Sequence, residues 1–197
     1  MKTRWLLLMA LLPGISAGQA ADPATAAAAT TPRQRAQAAA LDLSRSLKAA
    51  LAAQLERGGT VGAITFCHDE APRIAARVAA EHRLRIGRVP VAGRQRSPAN
   101  TAEPWQAQGL AVFEQRVAAG TPVADLVQVQ DADLPAGVDL RLLRGIPVEP
   151  MCLACHGKAL ADDTRAALQR LYPGDGATGF SAGDLRGALW VEVPTGR

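Results

Sequence analysis

The residues of this sequence with the most chemical capacity stand together at Cys152-Leu153-Ala154-Cys155-His156, followed by Gly157. Two thiols three residues apart with an adjacent imidazole make a C-x-x-C-H pattern. That spacing lets both sulfurs reach the two vinyl groups on one edge of a porphyrin and become thioethers. It also brings the histidine under the iron as the proximal ligand. With 3 Cys and 3 His in 197 residues, a chance occurrence is remote. A cysteine pair can also be a dithiol redox site, but such a site prefers a helix N-terminus beside a βαβ unit. It can be half of a zinc site, but the chain has no second C-x-x-C and no H-x-x-x-H. The pattern therefore predicts one covalently attached haem c on Cys152 and Cys155, with His156 on the metal.

A second axial ligand has to come from elsewhere in the chain. Met151 adjoins the attachment cysteine and is badly placed for the opposite face. Tyr172 is the only tyrosine, and Lys48 and Lys158 are the only lysines beyond the leader. The ordinary candidates are then Cys67, His68 and His82. His82 lies near a predicted helix end beside Glu81 and Arg83 and reads as a solvated side chain. Cys67 and His68 are neighbours about 100° apart on a helix, so one of them at most faces the iron. Cys67 falls on the apolar face, where an inert buried thiol and a ligand are equally good readings. The haem carboxylates also need partners. Arg83, Arg85, Arg88, Arg94 and Arg96 cluster in one segment, and Arg186 is a further candidate. No constellation of acid–base groups around an open position is visible, so no enzymatic activity is expected.

The N-terminus agrees with haem chemistry, because c-haem attachment takes place outside the bacterial cytoplasm, where disulfides also form. Lys2 and Arg4 precede an apolar run from Trp5 to Leu12, closed by Pro13-Gly14 and the small residues of Gly18-Gln19-Ala20. These are the three parts of a secretory signal peptide over residues 1–20, cleaved after Ala20. The run is short for a membrane anchor, and no other segment approaches a span. The expected location is the periplasm. Loss of Lys2 and Arg4 with the leader takes the formal net charge from +4 to +2, too weak to suggest nucleic acid or a membrane surface as partner. Cys67 is then a lone thiol in an oxidising compartment.

Residues 21–33 are Ala-rich and read as a flexible tether. One domain is expected over 34–197. Its first element is an amphipathic helix from Pro32 to Arg57, with Leu43, Leu47, Leu51 and Leu55 on one stripe and Gly58-Gly59 as its stop. The stripe packs on its own domain or serves an oligomer interface, the former being the simpler use. A second helix is expected from Val61 to Arg83, with Pro72 kinking it or starting a new one. An irregular strand follows over 84–92, a helix over 105–119, strands over 125–130 and 140–146, a helix over 161–172 and a last strand over 185–193. The fold class is α+β, with an antiparallel sheet of about four or five strands.

Four pieces of the chain, in order, resemble a family of exported haem domains. They are Phe66-Cys67-His68 with Ala71-Pro72; Arg85-Ile86-Gly87-Arg88 with Pro98-Ala99-Asn100; Ile146-Pro147-Val148 ahead of the C-x-x-C-H motif; and Leu171-Tyr172-Pro173 through Gly183-Asp184-Leu185-Arg186-Gly187-Ala188. The resemblance covers roughly residues 34–194. It implies a PAS-like antiparallel sheet flanked by helices, carrying a c-type haem with His/Cys ligation, and it assigns the distal thiolate to Cys67. Known members stand alone in the periplasm or form the sensor module of histidine kinases. No kinase or other output segment follows Arg197 here, which argues against direct signal transduction. The functions implied are electron transfer to a redox partner that the sequence does not identify, or redox sensing, with haem-based CO or NO sensing as the alternative.

Overall fold

The structure, a computed structural model, describes residues 30–196. The expected signal peptide, most of the tether, and Arg197 lie outside the described residues. Thr31 caps the first helix, α1 (Pro32–Asp69). Its hydroxyl accepts from the Gln34 N–H at 3.2 Å, and the Gln34 side chain accepts from the Thr31 N–H at 3.0 Å. Pro32 needs no donor partner in the first turn, so the sequence Thr-Pro-Arg-Gln starts a helix locally. The helix thus begins inside the segment read as tether. The expected stop at Gly58-Gly59 is present: Gly59 has non-helical backbone (φ 58°, ψ −160°) and kinks α1 there, and a second helical stretch runs from the kink as far as Asp69.

The second expected helix is divided as well. A separate helix, α2 (Ala71–His82), begins beside Pro72, and Arg83 closes it in the left-handed conformation. Strand β1 (Arg85–Pro90), helix α3 (Pro104–Ala118) and strands β2 (Val127–Gln130) and β3 (Val138–Pro147) follow. The chain continues through the short helix α4 (Leu153–His156), helix α5 (Asp162–Leu171) and strand β4 (Leu185–Pro194).

The sheet has four strands in the order β1-β4-β3-β2, every pair antiparallel. The last strand in the chain therefore sits inside the sheet. Register aligns Ile86, Val191 and Leu142 across three strands, and Gly87, Trp190 and Leu143 beside them. Strand alternation sends the first row to one face and the second row to the other. On the first face Ile86, Leu142, Leu189 and Val191 pack against Ala36, Ala40, Leu43 and Leu47 of α1 and Val78 of α2. On the other, Leu143 and Ala188 pack against Leu110 and Phe113 of α3. The architecture is α+β, an antiparallel sheet covered by helices on both faces.

A third apolar cluster is smaller and matters more for the site. Ile64, Ala167 and Leu168 are buried together, with Val61, Cys155, Leu171 and Tyr172 against them. It joins the second half of α1, the C-x-x-C-H turn and α5. The Leu stripe of α1 is accordingly shared. Leu43 and Leu47 are buried on the sheet, while Leu51 and Leu55 line a cavity beside that cluster.

Candidate functional site

The cavity has a volume of about 1230 Å³. Small-molecule sites occupy about 300–1000 Å³, so there is room for a group as large as a porphyrin. Its walls come from the second half of α1, from α2, from β1 and its following loop, and from the C-x-x-C-H turn. That turn is aimed by backbone bonds. The Val148 N–H donates to the Asp184 carbonyl at 2.9 Å, and the Gly183 N–H donates back to Val148 at 2.8 Å. A tight turn at Pro150–Cys152 then leads into α4. Residues three apart share a helical face, and Cys152 and Cys155 both open on the cavity, as does His156. Burial raises the pKa of both thiols.

His156 is held on its outer side. Its Nδ1 lies 2.6 Å from the Ala177 carbonyl oxygen. A carbonyl only accepts, so Nδ1 carries the proton and Nε2 keeps its lone pair for a metal. Burial, followed by the charges of Arg96 and Arg186, lowers the imidazole pKa to about 3. The ring is neutral at any ordinary pH, the form in which histidine binds metal. Backbone bonds from the Phe180 N–H to the His156 carbonyl and from the Gly179 N–H to the Gly157 carbonyl, both 2.9 Å, lay the 177–180 segment along the motif.

The three candidates for the opposite ligand have different surroundings. Cys67 lines the cavity; burial raises its pKa, and the charges of Arg88 and Arg96 oppose that rise. Cys67 also contributes to raising the Cys155 pKa, so the two sulfurs lie within reach of each other's charge. His68 also borders the cavity, but its side chain is 45 % exposed and its Nδ1 lies 2.6 Å from Asp69 Oδ1. Its ring meets the edge of Tyr172 at 5.4 Å. Tyr172 itself is pushed up to about 12, chiefly by burial. His82 does not reach the cavity; its Nε2 lies 3.1 Å from Asp42 Oδ2 on α1.

The arginine cluster separates into different roles. Arg83 ends α2, and Arg85 pairs with Glu192 on the far face of the sheet. Arg94 donates to the Gly176 carbonyl at 3.2 Å and to the Thr178 carbonyl, and its guanidinium lies 3.8 Å from the centre of the Phe180 ring. Arg96 is buried against Asp175 and the motif backbone. Arg88 lines the cavity with its side chain exposed to the open space inside it, and desolvation by the protein around it is the main cause of its lowered pKa. It has no hydrogen-bond or ion-pair partner among the described residues. Arg186 lines the same space with its pKa lowered to about 10, first by burial and then by Arg96 and Arg88. Buried Arg96 Nε is also without a partner among the described residues. Acids at the wall are engaged elsewhere: Glu149 with Lys48 at 2.7 Å and Glu103 with the Trp105 indole at 3.0 Å.

The chain matches the Tll0287-like family, described as Tll0287, over residues 20–194. It belongs to the Tll0287-like family. A solved structure, "Crystal structure of the cyanobacterial heme-protein Tll0287", superposes with a TM-score of 0.58 at 23 % identity, covering 85 % of this chain and 98 % of that one. The likeness identifies the fold of this Tll0287-like chain as PAS-like. No curated protein matches it.

Two features of this family member's site were not visible in its sequence. One is the Ala177 carbonyl, a backbone group with no letter of its own. The other is Asp175, which sits in the breaker Pro173-Gly174-Asp175-Gly176 and accepts the Ala177 N–H at 2.8 Å. An Asp-Gly pair in a loop signals such a turn, though not what the turn holds.

Proposed function

We propose that the protein carries one haem c, attached through Cys152 and Cys155, with His156 as proximal and Cys67 as distal ligand. The observation that carries this reading is the convergence on one cavity of the C-x-x-C-H turn, a histidine whose Nε2 is left free by its Nδ1 bond, and the Cys67 thiol. The cations at the wall without a carboxylate partner fit the group as well: Arg88 and Arg186, the latter also donating to the Arg94 carbonyl at 3.3 Å, suit the two carboxylates of a haem. The matched cyanobacterial protein is described as a heme-protein, which supports the reading.

A haem held there would supply a one-electron ferric/ferrous couple. His156 would orient it from one side through the Ala177 bond. Cys67, anchored on α1, would face it from the other side; burial raises the thiol pKa, and the charges of Arg88 and Arg96 offset part of that rise. Ligation also accounts for a lone thiol surviving an oxidising compartment. Two protein ligands leave no open metal position, which suits electron transfer or redox sensing in the periplasm rather than catalysis on a substrate. The test compares haem-loaded Cys67→Ser and His68→Ala by ferric electron paramagnetic resonance and redox titration, after mass spectrometry has verified one covalent haem. Cys67→Ser should change the signal and raise the potential, because thiolate favours the ferric state. An unchanged Cys67→Ser beside an altered His68→Ala would assign the ligand to His68. Rapid CO or NO binding by the unmodified protein would favour gas sensing instead.

A further inference from the structure

The proximal side contains a buried ion pair that ligation alone does not require. Arg96 and Asp175 have side chains 11 % and 8 % exposed, with Nη2 2.9 Å from Oδ2. The same Nη2 donates to the Cys155 carbonyl at 2.6 Å and approaches the Ala177 carbonyl at 3.5 Å. Asp175 Oδ1 accepts the Ala177 N–H at 2.8 Å, closing a two-residue turn over Gly176. That turn aims the Ala177 carbonyl at His156 Nδ1, 2.6 Å away. Gly176 lets it lie flat, because a Cβ there would stand 2.7 Å from the Gly93 carbonyl oxygen.

We propose that Arg96 and Asp175 are positioning residues for the proximal imidazole, fixing the rotation of the His156 ring through the Ala177 carbonyl. The inference rests on His156 being a haem ligand. Among the described residues, Arg96 is the one side chain that hydrogen-bonds both to the motif backbone, at Cys155, and to the turn that supplies the acceptor for His156. A pair serving stability alone has no need of this geometry, since an apolar pair of similar volume is often as stable. Here one guanidinium references the carbonyl that orients the ring to the helix that carries the ring. Outer partners of this kind set both the orientation and the basicity of a metal-bound histidine.

The test uses haem-loaded full chain carrying Arg96→Ala, Asp175→Ala, both together, or Arg96→Lys. The readouts are covalent haem by mass, ferric g-values, which report the orientation of the imidazole plane, and reduction potential. Positioning predicts that both alanine variants keep the haem and change the g-values in the same sense. The double variant should change them no further than either single one, because the two residues act as a unit. Arg96→Lys should also depart from wild type, since the lysine nitrogen ends one bond short of Nη2, the position from which both Cys155 and Asp175 are reached. A pure charge effect behaves differently: the two alanine variants would move the potential in opposite directions and leave the g-values alone. That outcome, or wild-type g-values in Arg96→Lys, overturns the proposal. If the variants do not load haem, the unmodified ferric protein still decides. Its His156 Nδ1 proton should appear as a slowly exchanging, hyperfine-shifted resonance, and exchange as fast as free imidazole refutes the positioning bond. Absence of covalent haem in the wild type refutes the haem reading itself.

Discussion

Gly187 lies on β4 opposite Pro90, where β1 leaves the sheet, and its φ is 151°. A Cβ there would overlap the Val89 carbonyl oxygen and stand 2.8 Å from Pro90 Cα and 3.0 Å from the Val89 carbonyl carbon. Carbon contacts normally settle at about 3.5–4.0 Å. All three atoms are backbone, so no rotamer change relieves Gly187→Ala; the end of β1 has to move. The positive φ adds about 1–3 kcal/mol for a non-glycine residue. Displacing β1 loosens the Val91 N–H to Arg186 carbonyl bond, already 3.4 Å long, and a neighbouring ladder bond, each worth about 1 kcal/mol. The expected loss is about 4 kcal/mol, measured by urea unfolding of the haem-loaded protein with far-ultraviolet circular dichroism. The damage should reach the site, because β1 carries Arg88 and runs on to Arg94 and Arg96. Gly58→Ala is the matched control: it lies in α1 with nothing within 4 Å of an added Cβ, so it should stabilise by about 0.5–1 kcal/mol. A Gly187→Ala protein within about 1 kcal/mol of wild type would show the close approach of β1 and β4 to be dispensable, and would falsify this account of the sheet edge.

Two further substitutions probe charges. Arg88→Leu removes a cavity cation and should lower the reduction potential. Across about 10 Å at an effective dielectric of about 20, one charge is worth about 1.7 kcal/mol, or more than tenfold in the ferric-to-ferrous ratio; an unchanged redox titration would place Arg88 outside the field of the haem. Glu192, its side chain 3 % exposed, pairs with Arg141 at 3.0 Å and with Arg85, joining three adjacent strands, so Glu192→Gln should cost about 3 kcal/mol in chemical unfolding. A cost near zero would mean that the arginines recover full hydration when the carboxylate is lost.

The elements of the fold were legible wherever the signal was local. Pro32 opens a helix in its first turn, the Leu stripe has helical period, and Gly58-Gly59 marks a real break in the backbone. Two glycines predict a stop with a second helix beyond it, and Gly59 does break the rod there, with Ile64 of the second stretch packed against Ala167 and Leu168. The reading stays open where local and tertiary terms compete. Pro72 was legible as a perturbation, but whether it kinks a helix or opens one depends on how α2 seats Val78 on the sheet. The order β1-β4-β3-β2 was not legible. Each strand reads as a strand, but nothing in β4 states that it pairs with both β1 and β3.

The site divides along the same line for a chemical reason. On the proposed haem reading, attachment demands two thiols and an imidazole within five consecutive residues, which is why Cys152, Cys155 and His156 stand out as a motif. A distal ligand has no such constraint. Cys67 lies 85 positions upstream of Cys152, and its helix face alone left an inert thiol and a ligand equally plausible. Cys67 and His68 both border the cavity, the former beside cations that oppose the effect of burial and the latter exposed against Asp69, whereas His82 lies apart, paired with Asp42; this is the support for proposing Cys67. The arginines are the most instructive case. Five of them occupy one stretch of chain and look interchangeable, yet alternation along β1 sends Arg85 to Glu192 on one face and Arg88 into the cavity on the other, while the loop beyond turns Arg94 and Arg96 onto the 175–178 backbone. A charge cluster in sequence thus becomes three separate placements in space, because the period of a strand and the turn that ends it decide which side of the sheet each guanidinium reaches.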